Sequence, residues 1–471
     1  MKHIAATALA VSMVVVCAGL SGVANSPPAP VIKGAACFSP DTPHEIRLAV
    51  EQAIYGLGLR YFTTDRWQNP QNPGTPVQPF TPSTLTYSVP PDGIAVPPQF
   101  SGDSTGTNVL TSRLNTLFNG NTAQWKQIFR DMFDEWTSIS GNIYIERTTD
   151  DGATWPTSAG NNSRGDIRIV MRNIDGPSGL LGYNTFPQQG DMLLDAAENW
   201  ASPGLNFRLL RNTISHEHGH GLGLLHSCPV DFSKLMEPVF NSVFQGPQLD
   251  DIRGVHDLYG DRYEPNNLVT EGTDLVDEGL FINSPLKLGL LSMHRFFDND
   301  NFILPDNNPA DMHMLSVSVS PVGASYMNGP QDQNGFCTSA SLVNSGFLQD
   351  LVITVRNPAG ATVATANAAG LGSGESIVNF PLSSPGRYSI RISSASPNTF
   401  NSVQLSDLEV TISAETTIVG DLDGDGCVGA GDLSNLLGSW LSSNPVADLT
   451  GDGVVNAADL AELLARWGDG C

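Results

Sequence analysis

The chain has 471 residues, 40% of them hydrophobic and 15% charged, a globular composition long enough for two or three domains. Asp and Glu number 48 against 23 Lys and Arg, for a formal net charge of −25. Such a surface argues against nucleic acid and anionic lipid as partners and suits calcium binding in an exported protein.

Residues 1–24 read as a secretory signal peptide. Lys2 and His3 precede an apolar run from Ile4 to Leu20, and Gly22-Val23-Ala24 offers small residues for cleavage. No later stretch has the roughly 18 apolar residues that spanning a bilayer needs. The expectation is a secreted, extracellular chain without a membrane span. Setting Cys17 aside leaves Cys37, Cys228, Cys337, Cys427 and Cys471, so at most two bridges form and one thiol is left over. Cys427 with Cys471 is the expected pair, because it closes the C-terminal module; the sequence does not determine the connectivity.

Residues 25–79 form an N-terminal segment, with helical apolar spacing from His44 to Tyr61 and an exposed Pro- and Asn-rich loop from Asn69 to Pro82. Leu85 to Val89 alternates as a strand. Gln124 to Ile139 predicts an amphipathic helix, with Trp125, Ile128, Phe129, Met132, Phe133 and Trp136 along one core-facing stripe. Ile143–Arg147 and Ile167–Met171 predict two further strands, and Leu209 to Leu222 another helix.

That last helix carries His216-Glu217-His218-Gly219-His220, an H-E-x-x-H pattern that continues through Gly223 to His226. Two His four apart share one helix face, so His216 and His220 reach one metal while Glu217 reaches water at that metal. Gly223 lets the chain leave the helix sharply, which brings His226 back as a third ligand. Three neutral imidazoles leave zinc an open position, the mark of a catalytic site. His218, at i+2, points off the ligand face and is expected to be an ordinary exposed His. Ten residues after His226 comes Leu235-Met236-Glu237-Pro238, similar to the Met-turn that follows this motif in metzincins.

The order of strand, helix, strands and zinc helix resembles the catalytic domain of the matrixins across residues 80–262. Asp175-Gly176-Pro177-Ser178-Gly179 resembles the family's calcium loop, and Gly190 to Trp200 its following strand. Gln248 to Gly260 resembles its last helix. The resemblance implies a zinc metalloendopeptidase acting on a protein or peptide substrate, with Glu217 as general base. It also implies that Met236 packs beneath the zinc and that Pro238, Val239 and Phe240 wall the substrate pocket, with Phe240 where the family often has Tyr. Asp175, Asp195 and Glu198 then match the carboxylate ligands of one Ca2+. Two family features are missing. Tyr183 and Leu193 stand near or at positions of the His ligands of a second, structural zinc, so none is expected. Cys37 lies in Ala36-Cys37-Phe38-Ser39-Pro40-Asp41, which shares only Cys and Pro-Asp with the pro-peptide cysteine switch.

From residue 263 to 413 the pattern changes to short Val/Leu/Ile-rich runs separated by Gly, Pro and Asn. Met314–Val319, Leu351–Val355 and Tyr388–Ile392 are examples, and they predict a β-sandwich. With Asp300-Asn301-Phe302 and Pro385-Gly386-Arg387-Tyr388, this region resembles β-sandwich domains found C-terminal to secreted bacterial peptidases. Residues 418–471 contain a repeat. Asp421, Asp423, Asp425 and Asp432 take positions 1, 3, 5 and 12 of a calcium loop around Gly426, and an offset of 27 gives Asp448, Thr450, Asp452 and Asp459, with Asn456 where the first copy has Gly429. Two such loops without entering helices resemble a type I dockerin, which implies Ca2+ and a cohesin-like partner. Gly429 and Thr450 at ligand positions, and Ala430-Gly431 and Ala457-Ala458 where hydroxyls usually read that partner, depart from the pattern.

The expected architecture is therefore an α+β metzincin catalytic domain, an all-β sandwich and a small α-helical dockerin-like module. The competing reading is a secreted calcium-dependent adhesion or scaffold protein with a vestigial zinc site.

Overall fold

The computed structural model describes residues 34–38, 63, 65–70, 81–100, 103–157, 160–293, 298–308, 313–331, 337, 340–395, 403–414 and 418–471. The expected signal peptide, the helix at 44–61 and most of the loop at 69–82 lie outside them. Among the described residues, no helix is long and apolar enough to cross a membrane.

The first domain is built on one mixed sheet. Its strands are β1 (Gly34–Phe38), β2 (Thr84–Ser88), β5 (Ile143–Arg147), β6 (Ile167–Arg172), β7 (Leu180–Thr185) and β8 (Met192–Asp195), in the order β1-β7-β8-β6-β2-β5. Neighbours from β8 through β5 pair in parallel, while β7 runs antiparallel to β8 and β1 antiparallel to β7. Two short strands, β3 (Ala95–Val96) and β4 (Gly106–Thr107), pair with each other beside it.

Helices α1 (Leu110–Leu117) and α2 (Thr122–Ser140) follow. In α2 the Asn121 side chain accepts a hydrogen bond from the Gln124 N–H, and Gly141 closes the helix at φ 68°, so both ends have the residue types they need. All six stripe residues of α2 are buried. The zinc helix α3 (Arg208–Leu222) is buried from Leu210 to its end, held between α2 on one side and β7 and β1 on the other. Helix α4 (Leu249–Tyr259) closes the domain, its first turn capped by Gln248 and Asp251.

The second region is two sheets facing one core. Sheet one contains β10 (Thr273–Asp274), β12 (Asp300–Asn307), β16 (Leu351–Arg356), β17 (Thr362–Ala366) and β19 (Gly386–Ser394). Sheet two contains β11 (Leu286–Met293), β13 (His313–Val322), β18 (Glu375–Pro381) and β20 (Gln404–Ala414). Phe302, Ile353 and Ile390 from the first meet Leu315, Val317 and Val410 from the second. Alternate residues of β13 are buried, the period of a strand with one face on a core.

The two regions interlock. Val403 and Leu405, at the start of β20, belong to the core of the first domain. Strand β9 (Ser227–Cys228), directly after His226, pairs with β14 (Ser325–Pro330), which also pairs with β15 (Ser341–Asn344). A disulfide joins Cys228 to Cys337 across 109 positions of chain, a pair that the sequence alone did not select. The end module is two loop–helix units, α5 (Ala430–Gly438) and α6 (Ala457–Ala465), around Val428, Leu436, Ala447, Val455 and Leu463. Its first loop is tied to its last residue by Cys427–Cys471, the expected pair.

Candidate metal centre

Helix α3 delivers His216 and His220 one turn apart, and the chain then turns at Gly223, whose φ is 106°. A β-carbon there would run into the backbone oxygen of Asp65, so only glycine permits this exit. The turn brings His226 back, and the three Nε2 atoms lie 3.0, 3.2 and 3.3 Å apart. Tetrahedral zinc with Zn–N bonds of about 2.0–2.1 Å places its nitrogens roughly 3.3 Å apart. The residues present therefore fit that ion.

Each ring's other nitrogen has an oxygen acceptor. His216 Nδ1 donates to the Leu235 carbonyl at 2.7 Å, His220 Nδ1 to the Leu224 carbonyl at 2.7 Å, and His226 Nδ1 to Gln331 Oε1 at 2.9 Å. With the proton on Nδ1, all three Nε2 lone pairs face one point. Burial depresses the pKa of His216 to about 4 and of His226 to about 3, and holds that of His220 well below the usual value. The imidazoles therefore stay neutral, as ligands must.

Glu217 is fully buried on the β7 side of α3. A β-carbon on Gly182 of β7 would lie 3.0 Å from Glu217 Oε1, so the backbone of β7 abuts the carboxylate. Strand β1 pairs along β7 with Cys37 opposite Gly182. The N-terminal strand thus lies on the edge of β7 beside Glu217.

Met236 is buried under the helix. A β-carbon built on Gly219 would lie 2.5 Å from the Met236 Sδ and 3.4 Å from the Trp136 ring. The turn is held by Asp251, which accepts from the N–H of Leu235 at 2.8 Å and of Met236 at 3.0 Å. Pro238 and Val239 are buried, and Phe240 packs half-buried against the main core.

His218 corrects the sequence reading. It is buried, not exposed, and its Nε2 lies 2.7 Å from the Tyr144 hydroxyl. The rings of Phe133 and Tyr144 meet it edge-on at 4.9 Å. Position i+2 does point away from the metal, but behind this helix lies the aromatic stripe of α2 instead of water. Burial drops its pKa to about 3.

Tyr183 and Leu193 pack with Val96, Trp155, Val170 and Leu180 in a small apolar cluster. Asp175, Asp195 and Glu198 lie near enough to influence one another, with burial the main cause of their raised pKa values, but they are not among the groups of described residues whose oxygens all lie within 4.8 Å of one another. Asp195 and Asp175 each raise Glu198, and Asp175 raises Asp195. Backbone N–H groups of Ile174 and Ala197 already bond Asp195, and that of Ser178 bonds Glu198.

In the end module, oxygens of Asp421, Asp423, Asp425 and Asp432 lie within 4.8 Å of one another, as do those of Asp448, Asp452 and Asp459. Asn456 caps α6 through the Ala458 N–H and donates from its amide to Asp452 at 2.9 Å.

Sequence reasoning missed Gln331. It sits 105 positions from His226, and no local signal marks it.

Residues 107–260 match the family model described as Matrixin. Neutrophil collagenase of Homo sapiens is 32% identical over 149 residues, which cover 29% of this chain and 29% of that protein. Hatching enzyme of Paracentrotus lividus is 31% identical over 137 residues, covering 29% of this chain and 22% of that one. Matrix metalloproteinase-27 of Homo sapiens is 41% identical over 98 residues, or 19% and 18%. The chain thus spans less than a third of the length of these relatives. With the three imidazoles, Glu217 and Met236 all inside the matched stretch, residues 107–260 constitute a matrixin domain.

Proposed function

We propose that the chain is a secreted zinc-dependent endopeptidase. The observation that carries this reading is the convergence of three Nε2 atoms 3.0–3.3 Å apart with a buried carboxylate next to them in sequence. When bound, zinc supplies the positive charge that lowers the pKa of a coordinated water towards ~7 and polarises a peptide carbonyl.

The chain's own residues do the rest. His216, His220 and His226 hold the metal through Nε2. Glu217 takes the proton of the attacking water and returns it to the leaving amine. Its burial against Gly182 fixes its rotamer, so little reorganisation accompanies the transfer. Where β1 gives way, the edge of β7 aligns an extended peptide by main-chain hydrogen bonds, and Pro238, Val239 and Phe240 wall the pocket for the side chain after the cleaved bond. Met236 supports the His ligands from below and takes no part in proton transfer. Calcium held by Asp175, Asp195 and Glu198 stiffens the loop before β7, and calcium at the two Asp loops staples the end module. A cohesin-like partner is no part of this reading.

Casein cleavage by the chain lacking residues 1–24, with and without a zinc chelator, tests it. Activity is expected only with zinc. Glu217→Ala should keep the metal and lose about 10²–10⁴ in turnover. Near-normal turnover by that variant would show that another group is the base. A wild-type chain that holds zinc yet cleaves nothing would favour the adhesion reading, with the site vestigial.

A further inference from the structure

A third acidic cluster lies where the matrixin domain hands over to the sandwich. Glu264 follows α4, Asp298 precedes β12 and Asp300 opens it. One carboxylate oxygen from each lies within 4.8 Å of the others. All three residues are at least nine-tenths buried, Asp300 completely. Among the described residues, neither oxygen of Asp300 accepts a close hydrogen bond, although the Asn266 side chain interacts with it.

A second observation points the same way. Asn266 is fully buried; its side chain interacts with the Asp300 carboxylate, and its side-chain carbonyl has no hydrogen-bond partner among the described residues. Buried polar groups are normally satisfied, and orphans call for an unseen partner. Burial, and then the charges of Asp261, Asp298 and Glu264, push Asp300 well above the usual carboxylate range. Asp261 is otherwise accounted for, since it accepts from the N–H groups of Tyr263 and Ser292.

Three carboxylates and an amide carbonyl form an all-oxygen set, which suits a hard cation and not zinc. Oxygens on opposite sides of calcium, with bonds of 2.3–2.6 Å, sit about 4.8 Å apart, so the cluster has the right size. We propose that Glu264, Asp298, Asp300 and the Asn266 side-chain carbonyl hold a calcium ion that clamps residues 261–267 onto the start of β12. The backbone there is already stitched together. The Asn301 N–H donates to the Asn266 carbonyl at 3.0 Å and the Asn299 N–H to Asn267 Oδ1 at 3.0 Å. The ion fixes the linker between the two regions. This site is separate from the catalytic one and does not rest on the peptidase reading.

Bound calcium per chain, counted by equilibrium dialysis of the full mature protein, tests the proposal. Asp300→Asn should lower the count by one, and Asp423→Asn in the end module should lower it independently. In the wild type, calcium should slow amide hydrogen exchange at 261–267 and 298–301, and Asp300→Asn should abolish that protection while leaving protection of the Asp loops unchanged. Glu264→Gln serves as the second variant should Asp300→Asn fail to fold. An unchanged calcium count together with calcium-insensitive exchange at 261–267 would mean that the chain neutralises these acids itself, and would overturn the proposal.

Discussion

Gln331 of the second region accepts a hydrogen bond from Nδ1 of His226, a residue of the zinc triad, at 2.9 Å. The other two triad rings donate to main-chain carbonyls within the matrixin domain, so His226 alone of the three depends on a side chain from beyond it for its orientation. The Cys228–Cys337 disulfide and the pairing of β9 with β14 bring that segment into place. Partners that orient a metal-bound His typically matter 10–100-fold in metal affinity. Gln331→Ala should therefore weaken zinc binding by roughly that factor, and Gln331→Glu, which keeps an acceptor, should restore most of it. Competition with a fluorescent zinc chelator reads both; equal affinity in all three proteins would make the contact incidental.

Proton competition at the site should be weak. Free imidazoles titrate near 6.5, so at pH 5 an unperturbed triad would lose roughly 10⁴ in zinc affinity relative to pH 7. Here burial lowers His216 to about 4 and His226 to about 3, with His220 also depressed. Protonation sets in only below those values, so affinity between pH 7 and 5 should change less than about tenfold. Zinc titrations across that range check it, and a steep fall starting near pH 6.5 would show that the rings are solvated.

Gly219 lies directly over the Met236 sulfur. Gly219→Ala gains about 1 kcal/mol of helix propensity but forces an overpacking that costs about 1–3 kcal/mol. The sulfur cannot retreat far, since the Met-turn backbone is bonded to Asp251. A net loss of about 1 kcal/mol is expected by urea unfolding. Gly438→Ala, where a β-carbon meets nothing within 4 Å, is the control and should be neutral or stabilising.

Strand β1 occupies the edge of β7, where an extended peptide would otherwise pair. A chain starting after residue 39 should cleave a short peptide several-fold faster than one starting at residue 25. The change should appear in KM if β1 only competes for the edge. Equal kinetics would place the substrate elsewhere.

Much of this was legible in the sequence because the signals are local. The zinc motif, the stripe of α2 and the repeated Asp loops each sit within a dozen or so residues, and helix or loop geometry converts their spacing directly into shared faces. His218 was misread because i+2 spacing says which way a side chain does not point, not what lies there. Gln331, Cys337 and the Glu264–Asp298–Asp300 cluster come from segments brought together only by tertiary packing. Strand β1 reached the site from a region whose composition carries no regular pattern.

The central claim is three imidazole nitrogens on one zinc. X-ray absorption at the zinc edge of the purified protein measures it directly. The account predicts three nitrogens and one oxygen at about 2.0–2.1 Å. A sulfur shell near 2.3 Å, or a protein that takes up no zinc, would contradict it.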